Sequence, residues 1–499
     1  MTNLTKDDSR LRAFLFKGRA KAAALGRPIL VSSVEPAPEL DSLMVLENLA
    51  ARCASDSMLE TMFREGSAYW LRGNDELALA GLGAVATIAS EGTSRFEGSD
   101  AAWAAILDGS LIDDQSDRAI GTGRVLIGGF AFEPEGPRSE PWSGFPSGHL
   151  IVPRALLTSA DGLTWITMSA LIGPDADVEA EVAALIKLRD TTLAAADAGN
   201  SESARDEFTS GVEFQDERDP ADWRAGVVAT TDAIRNGTLE KVVLARASHA
   251  QAPNDIDPYA TLRALRDANR NAFVFGYWRG ATAFVGASPE RLIRLDKRNV
   301  QASSLAGTAR RGGTDAEEAE IVAELFASAK DRIEHAVVLS ALKEVLAEFC
   351  DDVTASSEPS LMTLPNVHHL ETDVHGCLRP GNSLLKVIER LHPTPAVGGT
   401  PRDLALQFIR DVEMLDRGWY AGPIGWIGRD GGEFAVALRS AILYGSEAML
   451  FAGCGIVADS EPDLEFAESV LKLQPMKSAI SLGVAMPSSG STIVAAAPG

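Results

Sequence analysis

The chain has 499 residues, 45% hydrophobic and 23% charged, enough apolar material for one large α/β unit or two domains. Its formal net charge of −24 and the lack of a Lys/Arg-rich run argue against a phosphate-backbone partner, so no nucleic acid is expected. No leader pattern stands near Met1, no apolar run reaches membrane-spanning length, and Cys53, Cys350, Cys377 and Cys454 show neither disulfide nor zinc spacing. The expectation is a cytoplasmic protein without membrane association.

Strand-like runs at 68–72, 77–88, 123–132 and 149–153 surround a helical stretch at 100–107, which predicts an α/β half with an antiparallel sheet. The Pro- and Gly-rich piece 133–148 reads as a loop. After a helix at 178–196, the polar stretch 199–219 has few large apolar residues and marks a connection. The expected division is 1–213 as a divergent N-terminal half, 214–483 as the catalytic region, and 484–499, rich in Ser, Ala and Pro, as a disordered tail.

The second half opens with a helix from Asp219-Pro220 to about Asn236, stopped by Gly237, and a strand at 240–250. Runs at 273–278 and 283–287 flank an Arg279-Gly280 turn, and 291–295 continues the sheet. One helix is predicted over 317–349. Runs at 425–427, 434–444 and 449–457 read as a three-stranded meander. A Gly-rich turn at Gly453–Gly455 then leads into a helix with Ser460 as its N-cap and Pro462 in its first turn.

On that last helix Glu465 and Glu468 lie three residues apart on one face, with Cβ atoms about 5–6 Å from each other. Asp331 and Glu334, in SAKDRIEH, form a second such pair. Should the two helices meet, four carboxylates surround one hole suited to a hard divalent cation. The plain alternatives are macrodipole complementation, about 0.3–1 kcal/mol per acid, and a solvated face with a Lys330–Glu334 pair. Lys241, opening an apolar strand, and Glu290, in GASPERL, suit a base and an acid. They equally suit an edge-strand lysine and a turn glutamate paired with Arg291. Arg439, in the apolar run FAVALRS, must be paired, by a protein acid or by a substrate carboxylate. Tyr420 offers a phenol donor or core packing. His368 and His369 are adjacent and diverge, so a two-histidine metal site there is not expected.

The blocks EKVVLAR, GASPERL, LAGTARR, SAKDRIEH, HPTPAVGGTP, DRGWYAGPIGW, FAVALRSA and GCGIV…EFAES…K occur in the order and spacing of chorismate-using enzymes. Over 219–482 the chain resembles isochorismate synthases most. The resemblance implies the fold of anthranilate synthase component I, an α/β (α+β) arrangement of two packed antiparallel sheets with helices outside. It also implies an isomerase. Water adds at C2 of chorismate, the double bonds shift, and the C4 hydroxyl leaves from the opposite face. By position, Lys241 activates the water and Glu290 protonates the leaving hydroxyl. Glu334 and Glu468 ligate Mg2+, with Asp331 and Glu465 helping directly or through water. Arg439, Tyr420 and the Gly453, Cys454 and Gly455 backbone take the pyruvyl carboxylate, with Lys472 nearby. Gly307, Thr308 and His369 are further pocket candidates.

Within the family, Lys241 favours a water nucleophile over ammonia, because the anthranilate-forming branch lacks a lysine there. Ala306 in SLAGT stands where the aminodeoxychorismate branch has its nucleophilic lysine. Ala396, where salicylate synthases tend to carry threonine, favours stopping at isochorismate. The alternatives are a salicylate synthase, which goes on to eliminate pyruvate, and a non-catalytic chorismate-binding subunit. The partner expected is the small-molecule substrate, with a monomer and no glutaminase subunit. Whether isochorismate then enters menaquinone or siderophore biosynthesis is set by neighbouring enzymes rather than by this site.

Overall fold

The computed structural model describes residues 6–136, 139–196, 211–364 and 367–484. Successive side chains along a strand point to opposite faces, and in the central strands both sets are apolar, which is what lets one sheet bury both faces. In Phe273–Arg279, Phe273, Phe275 and Tyr277 enter the core between the two limbs of the sheet. Val274 and Trp278 enter a second core beneath the helices, where Trp278 stacks on Tyr259 at 5.1 Å.

The strands hydrogen-bond into one continuous, almost wholly antiparallel sheet; Ile29–Ala37 with Leu111–Asp114 is the parallel pair. The sheet divides along the long partners Leu77–Ser90 and Gly148–Ala160. One limb runs through Ser67–Arg72, Phe273–Arg279, Thr282–Ser288, Ser440–Tyr444 and Glu447–Ile456 to Lys241–Gln251. The other runs through Leu126–Phe130, Pro423–Ile427, Gly431–Val436, Arg291–Asp296 and Asn299–Arg310 to Val367–Leu378. The limbs enclose a core containing Trp70, Phe284, Trp426 and Phe434. Among the described residues twelve α-helices cover the outside, and the fold is the α/β one expected. Strands from before residue 213 pair directly with later ones, Ser67–Arg72 with Phe273–Arg279 and Leu126–Phe130 with Pro423–Ile427.

Several local expectations are corrected. The helix predicted over 317–349 is two, Asp315–Ala327 and Ala329–Phe349, because Ser328 leaves the helix and caps the second through the Asp331 N–H. The helix placed at 100–107 starts at Arg95. The helices Lys6–Leu25, Ser42–Arg52 and Ser57–Glu65 were not anticipated. The meander is not one: Gly431–Val436 pairs in one limb and Ser440–Tyr444 in the other, with no pairing between them. The expected tail lies outside the described residues from 485 onward, as does 197–210 of the expected connection. Among the described residues no helix is long and apolar enough to cross a membrane.

Candidate active site

Two chain crossings between the limbs define the site. The chain leaves the first limb after Ser288 and enters the second at Arg291; it makes the reverse crossing between Val436 and Ser440. Glu290 and Arg439 occupy these crossings. They are tied by the Val436 N–H to Glu290 O at 3.1 Å and the Ala287 N–H to Arg439 O at 3.2 Å. Arg439 is therefore not mid-strand. It adopts φ +47°, a left-handed conformation that an L residue takes only when its surroundings over-determine it.

The limbs part there around a cavity of about 160 Å³, lined by Glu290, Arg439, Tyr420, Asp331, Glu334, Glu465, Glu468 and Lys472 among others. Gly307, Thr308, His369, Ala396, Gly453 and Gly455 also line it. A larger depression of about 1030 Å³ elsewhere has its charged groups Asp41 and Arg266 paired with each other at 2.8 Å.

Each acid arrives by helical periodicity. The buried stripe Val338, Leu342, Leu346 of Ala329–Phe349 leads back to Glu334 one turn earlier and to Asp331 beside it. The stripe Ser469, Leu473, Met476 of Pro462–Gly483 likewise leads back to Glu465. Glu461, not Ser460, is the N-cap of that helix; the Ser460 hydroxyl donates to Glu465 Oε1 at 2.7 Å.

The four acids meet three lysines. Lys241 Nζ lies 2.9 Å from Glu334, Lys330 Nζ 3.0 Å from Glu465 and Lys472 Nζ 2.7 Å from Glu468. Lys330 thus pairs across helices rather than with Glu334. Asp331 accepts from the Ser328 hydroxyl and, at 3.2 Å, from the Thr308 N–H. Burial raises the Glu465 carboxyl, reinforced by Glu468, and burial also raises Asp331. For Glu334, burial pulls upward but Lys241, Lys472 and Lys330 outweigh it, and the carboxyl is lowered. The Lys472 ammonium is opposed by burial, yet Glu468 prevails and raises it.

Lys241 is 1% exposed, neither at an edge nor on the cavity surface, and reaches forward to Glu334. The alternation that sends Val242 and Leu244 into the apolar cluster with Trp223 sends Lys241, Val243 and Ala245 to the cavity side. Gly453 and Gly455 face that side from the neighbouring strand, opposite Ala245 and Val243. They sit in a strand rather than a turn. A Cβ on Gly455 would stand 2.5 Å from Glu334 Oε1 and 2.9 Å from Lys241 Cε. Val243 and Ala245 send their N–H groups to Gly398 O and Glu413 Oε2, so their pairs with Gly455 and Gly453 are the non-hydrogen-bonded kind. The backbone groups of both glycines therefore face the open edge, where Lys472 Nζ donates to Gly453 O at 3.0 Å. Cys454 points the other way, into the Trp223 cluster, and does not line the cavity.

Glu290 is 4% exposed, and burial raises its carboxyl to about 8 against the pull of Lys241 and Lys472. Arg291 does not pair with it; Arg291 pairs with Glu433 at 3.1 Å. Arg439 has no acidic partner among the described residues, and burial lowers its guanidinium to about 10. Tyr420 stacks on Phe451 with centroids 5.1 Å apart, its phenol raised by burial and directed at Gly453. His369 Nδ1 lies 3.2 Å from Gly307 O and from Thr308 Oγ1; a carbonyl only accepts, so Nδ1 carries the proton and Nε2 is left as an acceptor. Burial, then Arg439 and Lys472, keep this ring neutral. Gly307, at φ +80°, lets the strand pass Asp331, whose Cβ would be 3.0 Å from any side chain there.

Lys330 as a cavity residue, Arg417, Val397 and Leu438 were missed by sequence reasoning. Lys330 directly precedes Asp331, but helical spacing alone points it at Glu334. Arg417 follows Glu413 by four positions across a helix end, where spacing no longer predicts contact.

A sequence profile of the chorismate binding enzyme family matches residues 17–481. The chain is 34% identical over 476 residues, 94% of each chain, to the salicylate biosynthesis isochorismate synthase of Pseudomonas aeruginosa. It is 34% identical over 417 residues, 83% of this chain and 87% of the relative, to isochorismate synthase MenF of Bacillus subtilis. Its fold is similar to that of the menaquinone-specific isochorismate synthase MenF of Escherichia coli, with TM-score 0.72, 24% identity, and 93% and 99% coverage. It is also similar to anthranilate synthase component I of Streptococcus pneumoniae, with TM-score 0.64, 21% identity, and 82% and 89% coverage. The chain belongs to the chorismate-binding enzyme family.

Proposed function

We propose that this protein is an isochorismate synthase that converts chorismate to isochorismate. The observation that carries the reading is one cavity lined by a carboxyl kept protonated to about pH 8, Glu290, by Arg439, which has no acidic partner among the described residues, and by Glu334, with Lys241 bonded to Glu334 directly behind the wall. A protonated acid, a buried amine and an anion anchor are what hydroxyl exchange on a dianionic ring requires.

Lys241 takes a proton from water as its oxygen bonds C2. The C1=C2 and C5=C6 electron pairs each move one position along the ring, the C4–O bond breaks, and Glu290 protonates the departing hydroxyl, which leaves as water. Arg439 and the open-edge amides of Gly453 and Gly455 hold the pyruvyl carboxylate, with the Tyr420 phenol and Lys472 beside them. His369, neutral, offers Nε2 to a substrate hydroxyl, and Gly307 and Thr308 shape that wall. Ala396 leaves the wall small and without a hydroxyl, consistent with stopping before pyruvate elimination.

The donor set fits Mg2+ in kind, with hard carboxylate oxygens of Glu334 and Glu468 as the proposed direct ligands and Glu465 and Asp331 beside them; of these, Glu465 and Glu468 stand with the Cys454 thiol within 4.8 Å of one another. Mg2+ bound there would supply positive charge for the ring carboxylate. All these residues fall within 214–483, which we take as the catalytic region, with 1–213 as its structural complement.

Incubation with chorismate and Mg2+ followed by product analysis tests the reading. Isochorismate without pyruvate is expected; stoichiometric pyruvate would replace it with the salicylate synthase reading, and no turnover would leave a binding subunit.

A further inference from the structure

The cavity contains a second buried arginine whose bonding is opposite to that of Arg439. Arg417 Nε donates to Glu413 Oε1 at 2.7 Å, and Nη1 to Val397 O at 2.9 Å. Its Nη2 donates to Glu413 Oε2 at 2.5 Å and to Val243 O at 2.8 Å. A guanidinium has five N–H donors, so four are committed to protein. The group also lies 4.2 Å over the Phe132 ring. Arg417 is therefore not the substrate's anchor, although it lines the substrate's cavity.

Its place is a gap in the sheet. Along its outer edge, Lys241–Gln251 pairs with Glu213–Asp216 opposite 248–251 and with Gly399–Thr400 opposite 241–242. Between these short partners no strand among the described residues meets Val243 and Ala245. Gly398 O accepts the Val243 N–H, Arg417 donates to Val243 O, Glu413 Oε2 accepts the Ala245 N–H at 2.8 Å, and Trp223 Nε1 donates to Ala245 O at 3.2 Å. One ion pair thus replaces a missing stretch of strand immediately after Lys241, and its third bond holds Val397 beside Ala396. Backbone groups so buried must be paired, and an ion pair in place of a strand holds them at one distance and angle.

We propose that Glu413 and Arg417 form a positioning pair, a strand surrogate that sets where Lys241 Nζ stands against Glu334 without touching substrate. This rests on the reading of Lys241 as the proton acceptor. A displacement of about 1 Å at a reacting group costs on the order of 10²-fold in rate, and lysine, a point donor, cannot reproduce a four-bond fork.

The test is Arg417→Lys, with kcat measured on chorismate and Mg2+, chorismate affinity titrated in a Glu290→Gln background where turnover is stopped, and melting temperature recorded. Expected is a kcat loss on the order of 10²-fold, with affinity changed less than twofold and the protein folded at assay temperature. A parallel loss of affinity would make Arg417 a substrate ligand and overturn the proposal. So would unchanged kcat with a lowered melting temperature, the mark of a purely structural pair. If Arg417→Lys does not fold, Glu413→Asp, which keeps the charge and withdraws it by one methylene, must show the same split between kcat and affinity. No turnover by the unaltered chain would sink the functional reading and this inference together; turnover with an unchanged variant ratio sinks the inference alone.

Discussion

Arg72 of one limb of the sheet meets Glu433 and Arg291 of the other, with both guanidiniums on one fully buried carboxylate at 2.7 and 3.1 Å. In the neighbouring crossings Arg439 and Glu290 are as deeply buried, yet neither has an opposite charge bonded to it among the described residues. The first cluster joins the strand Ser67–Arg72 to Gly431–Val436 and Arg291–Asp296, and its charges are satisfied by protein alone. The second retains its hydrogen-bonding capacity for something else. Burying an unpaired guanidinium opposes folding, and Glu290 avoids that cost by keeping its proton up to about pH 8; the proposed reading gives Arg439 its partner in a substrate carboxylate.

The comparison is broken most directly at the reacting groups. Lys241→Ala and Glu290→Gln should each lower kcat by about 10²–10⁴-fold or more while leaving the far-ultraviolet circular dichroism unchanged; retained kcat in either variant removes its assigned role. Glu433→Gln should do the reverse, destabilising by about 3–5 kcal/mol because two arginines lose their buried partner, with kcat per folded molecule preserved. Chemical denaturation alongside initial rates decides it. For Arg439→Met we expect chorismate affinity to fall by roughly 10–150-fold, the equivalent of about 1.5–3 kcal/mol for charged hydrogen bonds, with no loss of stability; a destabilised variant of unchanged affinity would place Arg439 with the structural cluster.

A smaller effect follows from packing and from pH. Gly455→Ala pushes a methyl within 2.5 Å of Glu334 Oε1, so about 1–3 kcal/mol of overpacking strain should appear as lowered kcat. Glu290 stands at about 8 in the folded chain against about 4.3 for an ordinary glutamate. Its folded pKa is raised, so its contribution to stability is full below about pH 4 and lost as pH rises through about 8. The acid form is the active one, so kcat should also fall above that pH. In Glu290→Gln the stability loss over the same interval should shrink, measured by melting temperature from pH 5 to 9.

Much of the site was legible because its determinants are local. Asp331 with Glu334, and Glu465 with Glu468, share faces through helical spacing alone, and the strand carrying Lys241 shows as the short apolar, β-branched run of EKVVLAR. Arg439 was legible as a guanidinium needing a partner, but not as a left-handed crossing residue, because FAVALRSAILY reads as one uninterrupted strand. The same continuity concealed that its two ends belong to different limbs. Lys330 illustrates a second limit. Its i+4 neighbour is Glu334, yet it bonds Glu465, 135 positions away, because the approach of two helices is a long-range fact.

By itself, then, the sequence determined which residue types stand on which face of each element and, through the order of its blocks, the family and its chemistry. Tertiary structure alone decided which charges were left unpaired. Periodicity places a side chain on a face, but whether a buried charge finds a partner depends on what the other limb and the other helices bring opposite it. That juxtaposition separates Arg439, open to a ligand, from Arg417, committed to protein.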